Sequence, residues 1–219
     1  MTDSAVSMMV MLAAASLLPF ILAAGTCYLK FSIVFVMVRN ALGVQQVPSN
    51  MVLNAIALIL SMVVMFPIAS KTYYYTVENP VELSLPESVT RFVDEGLHDY
   101  RQYLFRYADK SLLHFFAQPD SDDTQDIELD ENSDIEFFHL LAAYALAEIK
   151  AAFLISFYLY LPFIVIDLIV SSVLLALGMM MMSPVTLSVP IKLILFIALD
   201  GWSLLSTSLV SQYLELMDT

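Results

Sequence analysis

Between Leu161 and Leu205 the chain reads LPFIVIDLIVSSVLLALGMMMMSPVTLSVPIKLILFIALDGWSLL, two apolar segments joined at Met179, Met180, Met181 and Met182. Gly178 precedes the methionines and Ser183-Pro184 follows them. Glycine is a poor helix residue, and a residue before proline is pushed out of the helical region. The methionines are therefore expected on irregular backbone between two apolar helices. Irregular backbone at membrane depth persists only where protein buries it or where it lines a cavity. Unbranched thioether side chains repack without a fixed shape, so the run is expected to form a soft constriction in a pore. Plain buried packing is the alternative, since methionine commonly fills gaps in cores. Four in succession would point to every side of a helix at about 100° per residue, which is not a packing stripe.

Apolar runs longer than about 18 residues mark membrane spans, and 59% of the 219 residues are hydrophobic. An integral membrane protein is expected. The formal charge of -13 is local: Lys71 to Leu140 holds 16 acidic and 5 basic residues, which accounts for -11 of it. Charge concentrated in one polar, acidic stretch gives no support for nucleic-acid binding. Cys27 is the single cysteine, which excludes an intrachain disulfide or a cysteine-rich metal site. His98, His114 and His139 lie in the polar stretch without metal-ligand spacing and are expected at the surface or in packing. The N-terminus carries Asp3 rather than a basic region. The apolar run also continues past the small residues Ala23-Ala24-Gly25, so an uncleaved segment is expected.

Three domains are expected: a first helical hairpin at 1–70, a polar acidic extracytoplasmic domain at 71–140, and a second hairpin with the methionine turn at 141–219. The first apolar segment, about Ala5 to Val38, would be roughly 50 Å long as one helix, too long for a straight span. A break near Pro19 or Gly25 resolves this. Asn40 to Gly43 reads as a helix stop with Gly43 as left-handed cap, and Pro48-Ser49-Asn50 as a helix start. The second segment is expected from Met51 to about Ala69, ending at Pro67. From Glu87 to Ala117, Val89, Phe92, Val93, Leu97, Tyr100, Leu104 and Tyr107 recur at helical spacing, which predicts one amphipathic helix. Pro119 to Asp134 is expected to be a mobile acidic loop. It lacks the glycine and terminal glutamate of a calcium loop, so no metal is expected there. The third segment runs from about Phe137 to Met182 with an interruption at Pro162. The fourth runs from Pro184 to about Met217 with a kink at Pro190.

Lys30, Glu148, Lys150, Asp167, Lys192 and Asp200 lie inside these apolar segments. Lipid-facing charge is expensive, so they are expected to be buried and to fix assembly by pairing between helices or subunits. A proton or ion relay is the alternative. Lys192 and Asp200 would lie about 80° apart on a regular helix and share one broad side. Lys30 and Arg39 flank the 40–50 turn, and Lys192 follows the methionine turn. The positive-inside rule then puts both turns in the cytoplasm and the acidic domain and both termini outside. No HExxH, P-loop, GxSxG or cysteine–histidine pair is present, so neither an enzyme nor a bound cofactor is expected.

The stretch TCYLKFSIVFVMVRNALGVQQVPSNMVLNAIALILSMVVMFPI, Thr26 to Ile68, resembles the SctR/FliP family of type III secretion export-apparatus proteins. The stretch around the methionines does so too. KFS at Lys30 to Ser32 and QQVPSN at Gln45 to Asn50 are similar to the virulence (injectisome) branch. The resemblance implies an all-α fold of membrane-type helical hairpins with long broken helices and a small helical extracytoplasmic domain. It implies a gate in the bacterial inner membrane. Five copies would assemble there with SctS/FliQ-like and SctT/FliR-like proteins into a helical, closed cone that unfolded substrates cross. The family's methionine gasket maps onto Met179 to Met182. The assembled complex would be lifted largely above the bilayer plane.

Two other functions compete with a pore subunit for protein export. A small ion or solute transporter or channel subunit would draw on the intramembrane charges. A transporter of inverted repeats should show two similar halves, and the two hairpins share little beyond proline-interrupted first arms. A receptor with an acidic sensor domain would need a signalling module, which the chain lacks.

Overall fold

The structure, a computed structural model, describes residues 8, 9, 12, 16, 19–44, 46–80, 88, 91–117, 135–179 and 181–217. The acidic stretch 119–134, Val89, Gln45, Met180 and most of the first 18 residues lie outside these. Every regular element among the described residues is helical, so the fold is all-α. After helical residues 19–24 come α1 (Tyr28–Leu42), α2 (Asn50–Glu78), a π-helical turn (Phe92–Gly96), α3 (His98–Tyr107), α4 (Lys110–Ala117), α5 (Phe137–Ala176), α6 (Pro184–Ala198) and α7 (Gly201–Met217). Helices α2 and α5 are long and apolar enough to cross a membrane. Helix α6 and residues 201–214 are together also long and apolar enough, across a bend of 58°. The chain divides into two compact units: Met1–Leu29 with Pro67–Glu148, and Lys30–Phe66 with Ile149–Thr219.

In the first unit the N-terminal apolar segment breaks at Gly25, while Pro19 is helical. The Tyr100 hydroxyl donates to Gly25 O at 2.8 Å. A side chain on Gly25 would collide with that hydroxyl and come within 2.7 Å of Ile21 O. The sequence predicts a single amphipathic helix over 87–117; instead it is divided. Ala108 is extended (φ -71°, ψ 149°). Asp109 Oδ1 accepts from the Ser111 amide at 3.0 Å and the Ser111 hydroxyl at 2.6 Å, capping a new helix. The second apolar segment also departs from expectation, because α2 runs through Pro67 to Glu78. Its last turns are held by tertiary contacts. The Tyr75 hydroxyl donates to Glu95 at 2.8 Å, and Lys71 pairs with Asp99 at 3.4 Å.

Aromatic rings fill the centre of this unit. Tyr103 lies 5.0 Å from Tyr107 and 5.4 Å from Tyr144 between ring centroids, and the Tyr103 and Tyr144 hydroxyls are 2.6 Å apart. Burial first, then the nearby Cys27 and Glu148, push the Tyr103 hydroxyl well above the ordinary phenol range. Burial likewise pushes Tyr107 up to about 12. A phenol whose folded pKa is raised stabilises the fold while it is protonated in both states. That contribution starts to fall at the unfolded value of 10.0 and is lost as pH climbs to the folded value. Stability should therefore drop between pH 10.0 and about 12. Thermal unfolding across that range, read beside phenolate absorbance, checks this. A midpoint that does not move would refute it.

In the second unit α1 is the core helix. Phe31, Val34, Phe35, Val38 and Leu42 are buried on it. It turns at Gly43 (φ +75°), and the Ser49 hydroxyl accepts from the Val52 amide at 3.4 Å to start α2. The Ser32 hydroxyl donates to Asn54 Oδ1 at 2.8 Å, tying the two arms of this hairpin. Phe31 packs edge-on to Tyr213 and Phe35 to Trp202, with centroids 5.8 and 6.1 Å apart.

Pro162 does not interrupt α5, and Pro190 lies inside α6. A proline removes one backbone hydrogen bond. A helix end strands several groups, which is worse in apolar surroundings. The fourth segment breaks elsewhere, at Leu199-Asp200, where Asp200 has φ +49°. Its amide donates to Ile197 O at 3.0 Å, and Gly201 sits where any Cβ would collide with the Phe196 ring.

Candidate pore constriction and buried charges

The methionine turn is built by its two helix ends. Helix α5 stops at Ala176, and Gly178 takes φ +74°. The Gly178 amide donates to Leu175 O at 3.0 Å and the Met179 amide to Leu174 O at 2.9 Å. This paired closure is the Schellman arrangement, which satisfies the last carbonyls and requires the left-handed residue. The Met182 amide then donates to Met179 O at 3.3 Å. Ser183 is extended (φ -70°, ψ 122°) and Pro184 opens α6, where its missing N–H costs little. Met179, Met181 and Met182 are exposed, Met181 completely. Met180 lies outside the described residues. Three exposed thioethers on a short turn between rigid ends form an apolar, deformable surface.

An ion pair ties the two helices that flank this turn. Lys192 on α6 is buried, and its Nζ donates to Asp167 Oδ2 on α5 at 2.6 Å and to Ala41 O on α1 at 3.1 Å. Lys192 thus neutralises a carboxylate and also caps the end of α1, where the helix dipole is negative. The other Asp167 oxygen is buried without a partner. Lys30 is buried with its ammonium 4.5 Å from the centre of the Tyr213 ring, a cation–π contact.

The remaining charges are not brought into that cluster. Glu148 is buried, in the first unit. Lys150 is exposed. Asp200 is exposed in the turn after α6, so it does not share a helix side with Lys192, because the helix on which they would align ends at Ala198. Arg39 emerges as a buried residue that hydropathy marked only as the end of a segment. Its Nη1 donates to Pro48 O at 3.1 Å and Asn50 Oδ1 at 2.6 Å, so it clamps the 40–50 turn. The legible signal was its spacing, one hairpin tip away from polar acceptors. His98 and His114 are exposed and His139 half-buried. Among the described residues no group of His, Cys, Asp and Glu could hold a metal.

An apolar cavity of about 330 Å³ lies in the second unit, lined by Val38, Pro162, Phe163, Phe196, Leu199 and Gly201 among others.

Comparison with known proteins bears on what this arrangement serves. The FliP family model matches residues 11–209. The chain belongs to the FliP family. Among its relatives in this family is the surface presentation of antigens protein SpaP of Salmonella typhi, 56% identical over 219 residues, covering 96% of this chain and 97% of the relative. The SpaP of Shigella flexneri is 58% identical over 201 residues, covering 92% and 93%. The Yop proteins translocation protein R of Yersinia pestis is 43% identical over 208 residues, covering 95% and 96%. The FliP-family membership and the virulence-system relatives agree with the resemblance carried by Thr26 to Ile68.

Asp167→Ala should leave the Lys192 ammonium buried with only the Ala41 carbonyl. Removing one partner of a fully buried pair costs roughly 3–5 kcal/mol. Asp167 is 39% exposed, so the expected loss is smaller, about 1–3 kcal/mol. Thermal unfolding in detergent measures it. Lys192→Met on the same background should recover part of the loss, since it removes the stranded charge.

Proposed function

We propose that the chain is a pore-forming core subunit of a bacterial type III secretion export gate, through which unfolded protein substrates pass. The observation that carries this is the methionine turn, held open to its surroundings by the Gly178 closure and the Ser183-Pro184 start, in a chain of the FliP family. The relatives' names, which speak of Yop translocation and of surface presentation of antigens, support a role in moving proteins. In this proposal several copies, five by the family resemblance, assemble with SctS/FliQ-like and SctT/FliR-like proteins in the inner membrane. Each contributes Met179 to Met182 to a ring at the narrowest point. Thioethers give the ring bulk without rigidity, so it blocks small ions and yields to a chain. Lys30, Asp167 and Lys192 hold together the helices of the second unit, which carries the turn.

Replacing the four methionines by alanine should open a leak while the complex still assembles. Conductance across membranes holding equal amounts of parent and variant complex decides the matter. A variant as tight as the parent means that the methionines are not the seal. Selective loss of one solute's transport without a general leak would point to a transporter instead.

The 40–50 and methionine turns face the cytoplasm in this proposal, and the 71–140 domain and both termini face the periplasm, following the basic flanks and the acidity of the long polar stretch. Cysteines placed at 125 and at 46 in a Cys27→Ala background report the two sides. The first should react with a membrane-impermeant thiol reagent from the periplasm and the second should not. The reverse pattern would overturn the orientation.

A further inference from the structure

The apolar cavity of the second unit is a slot. On α7 its lining residues Gly201, Leu204, Leu205, Ser208, Leu209 and Gln212 fall at three- and four-residue steps, which is one stripe along the helix. From Gly201 to Gln212 the rise makes that stripe about 16 Å long. On α5, Ile155, Leu159 and Phe163 form a second stripe on the same cavity. Two facing stripes enclose a space that is long rather than round.

Its two ends differ. At one end α6 turns into α7, and Phe163 and Phe196 close the slot with ring centroids 6.4 Å apart. Trp202 stands edge-on to Phe196 at 5.3 Å. Gly201 leaves room for the Phe196 ring, which any Cβ there would strike. At the other end are Ser208 and Gln212, the polar side chains of the lining. Gln212 lies close to the end of the apolar stretch 201–214. The next residue, Tyr213, holds the buried Lys30 ammonium 4.5 Å from its ring centre. Val38, Leu205 and Leu209 are buried, while Leu204, Ser208 and Gln212 are exposed, so the slot opens along its flank.

An apolar cavity of roughly 150 Å³ stays dry and takes a guest the size of benzene, and this slot has about 330 Å³. Water finds no partners along most of it. Spread over the length of the stripe, that volume has the width of one hydrocarbon chain and not of a helix, which is about 10 Å across. For a chain with helices built to cross a bilayer, hydrocarbon is the guest at hand. We infer that the slot between α5 and α7 binds one acyl chain of a membrane phospholipid, with the headgroup at Ser208 and Gln212 and the methyl end against Phe196. This concerns the inserted chain before neighbours surround it, and it stands apart from the export reading.

Trp202 is the only tryptophan of the sequence, so its fluorescence reports on the closed end of the slot. The full chain is placed in phosphatidylcholine nanodiscs whose lipid carries bromine either near the methyl end of the tail or near its carbonyl. Bromine near the methyl end should quench Trp202 more strongly, and Leu159→Phe with Ser208→Phe, which fills the slot, should abolish that difference. Native mass spectrometry of the chain released from these nanodiscs should show one phosphatidylcholine retained, and about tenfold less retention in the double variant. Ser208→Phe alone, at an exposed position, should give a partial loss, so the test survives a double variant that fails to insert. No retained lipid in the parent, or retention and quenching that the filling variants leave unchanged, overturns the inference. A parent without lipid whose filling variants instead lower the yield of the multi-copy complex assigns the slot to a neighbour's side chains and likewise overturns it.

Discussion

Lys192 is where three helices of the second unit meet. One ammonium holds a carboxylate of α5 and the Ala41 carbonyl at the end of α1 while its stem leaves α6. Without it the Ala41 carbonyl would lose this donor, and Asp167 would stand on an apolar helix with no cation. A buried ion pair is weak evidence for net stability against an apolar replacement, but it is strong evidence for register. It lets α5, α6 and the end of α1 fit at one height and at no other. The methionine turn joins two of these helices, so its position follows from the same node.

The helix breaks show which sequence signals carried weight. Prolines were the prominent ones, and Pro19, Pro67, Pro162 and Pro190 all sit in helix. The real breaks fall at Gly25, Gly43, Gly178 and Asp200-Gly201, where a left-handed residue or a close approach is needed. In apolar surroundings one lost hydrogen bond is a smaller defect than an uncapped end, so proline loses its force as punctuation while glycine keeps it. The Asp-Gly pair at 200 was visible as a turn signal. The apolar run around it hid it, because hydropathy does not register backbone conformation.

The all-α class, the first hairpin with its Gly43 and Ser49 ends, and the irregular backbone at the methionines were legible, since each depends on local composition. The pairing of Asp167 with Lys192 was legible only as an expectation that buried charges find partners. Which charges pair is decided by tertiary height, and Asp200 fell out because a turn intervenes. Arg39 was overlooked as a buried cation for a related reason. A charge at the end of an apolar run looks solvent-exposed unless the following turn folds back over it, as Pro48 and Asn50 do. The split of 87–117 was likewise hidden, because Asp109 reads equally well as a polar face residue or as a cap.

The two helices long and apolar enough to cross a membrane are sparsely covered: 22% of the most apolar stretch of α2 and 11% of that of α5 is buried. A chain that leaves such surface open depends on its solvent in two stages of its life. Newly made, it is at home in hydrocarbon, where those faces are already in contact with something as apolar as themselves. Each later protein contact must displace lipid rather than water, so the drive to associate comes from shape, polar pairing and lipid release. Maturation of such a subunit is then a change of solvent, from tails to neighbours, and subunits made in excess of their neighbours would remain dissolved in the membrane as a reserve.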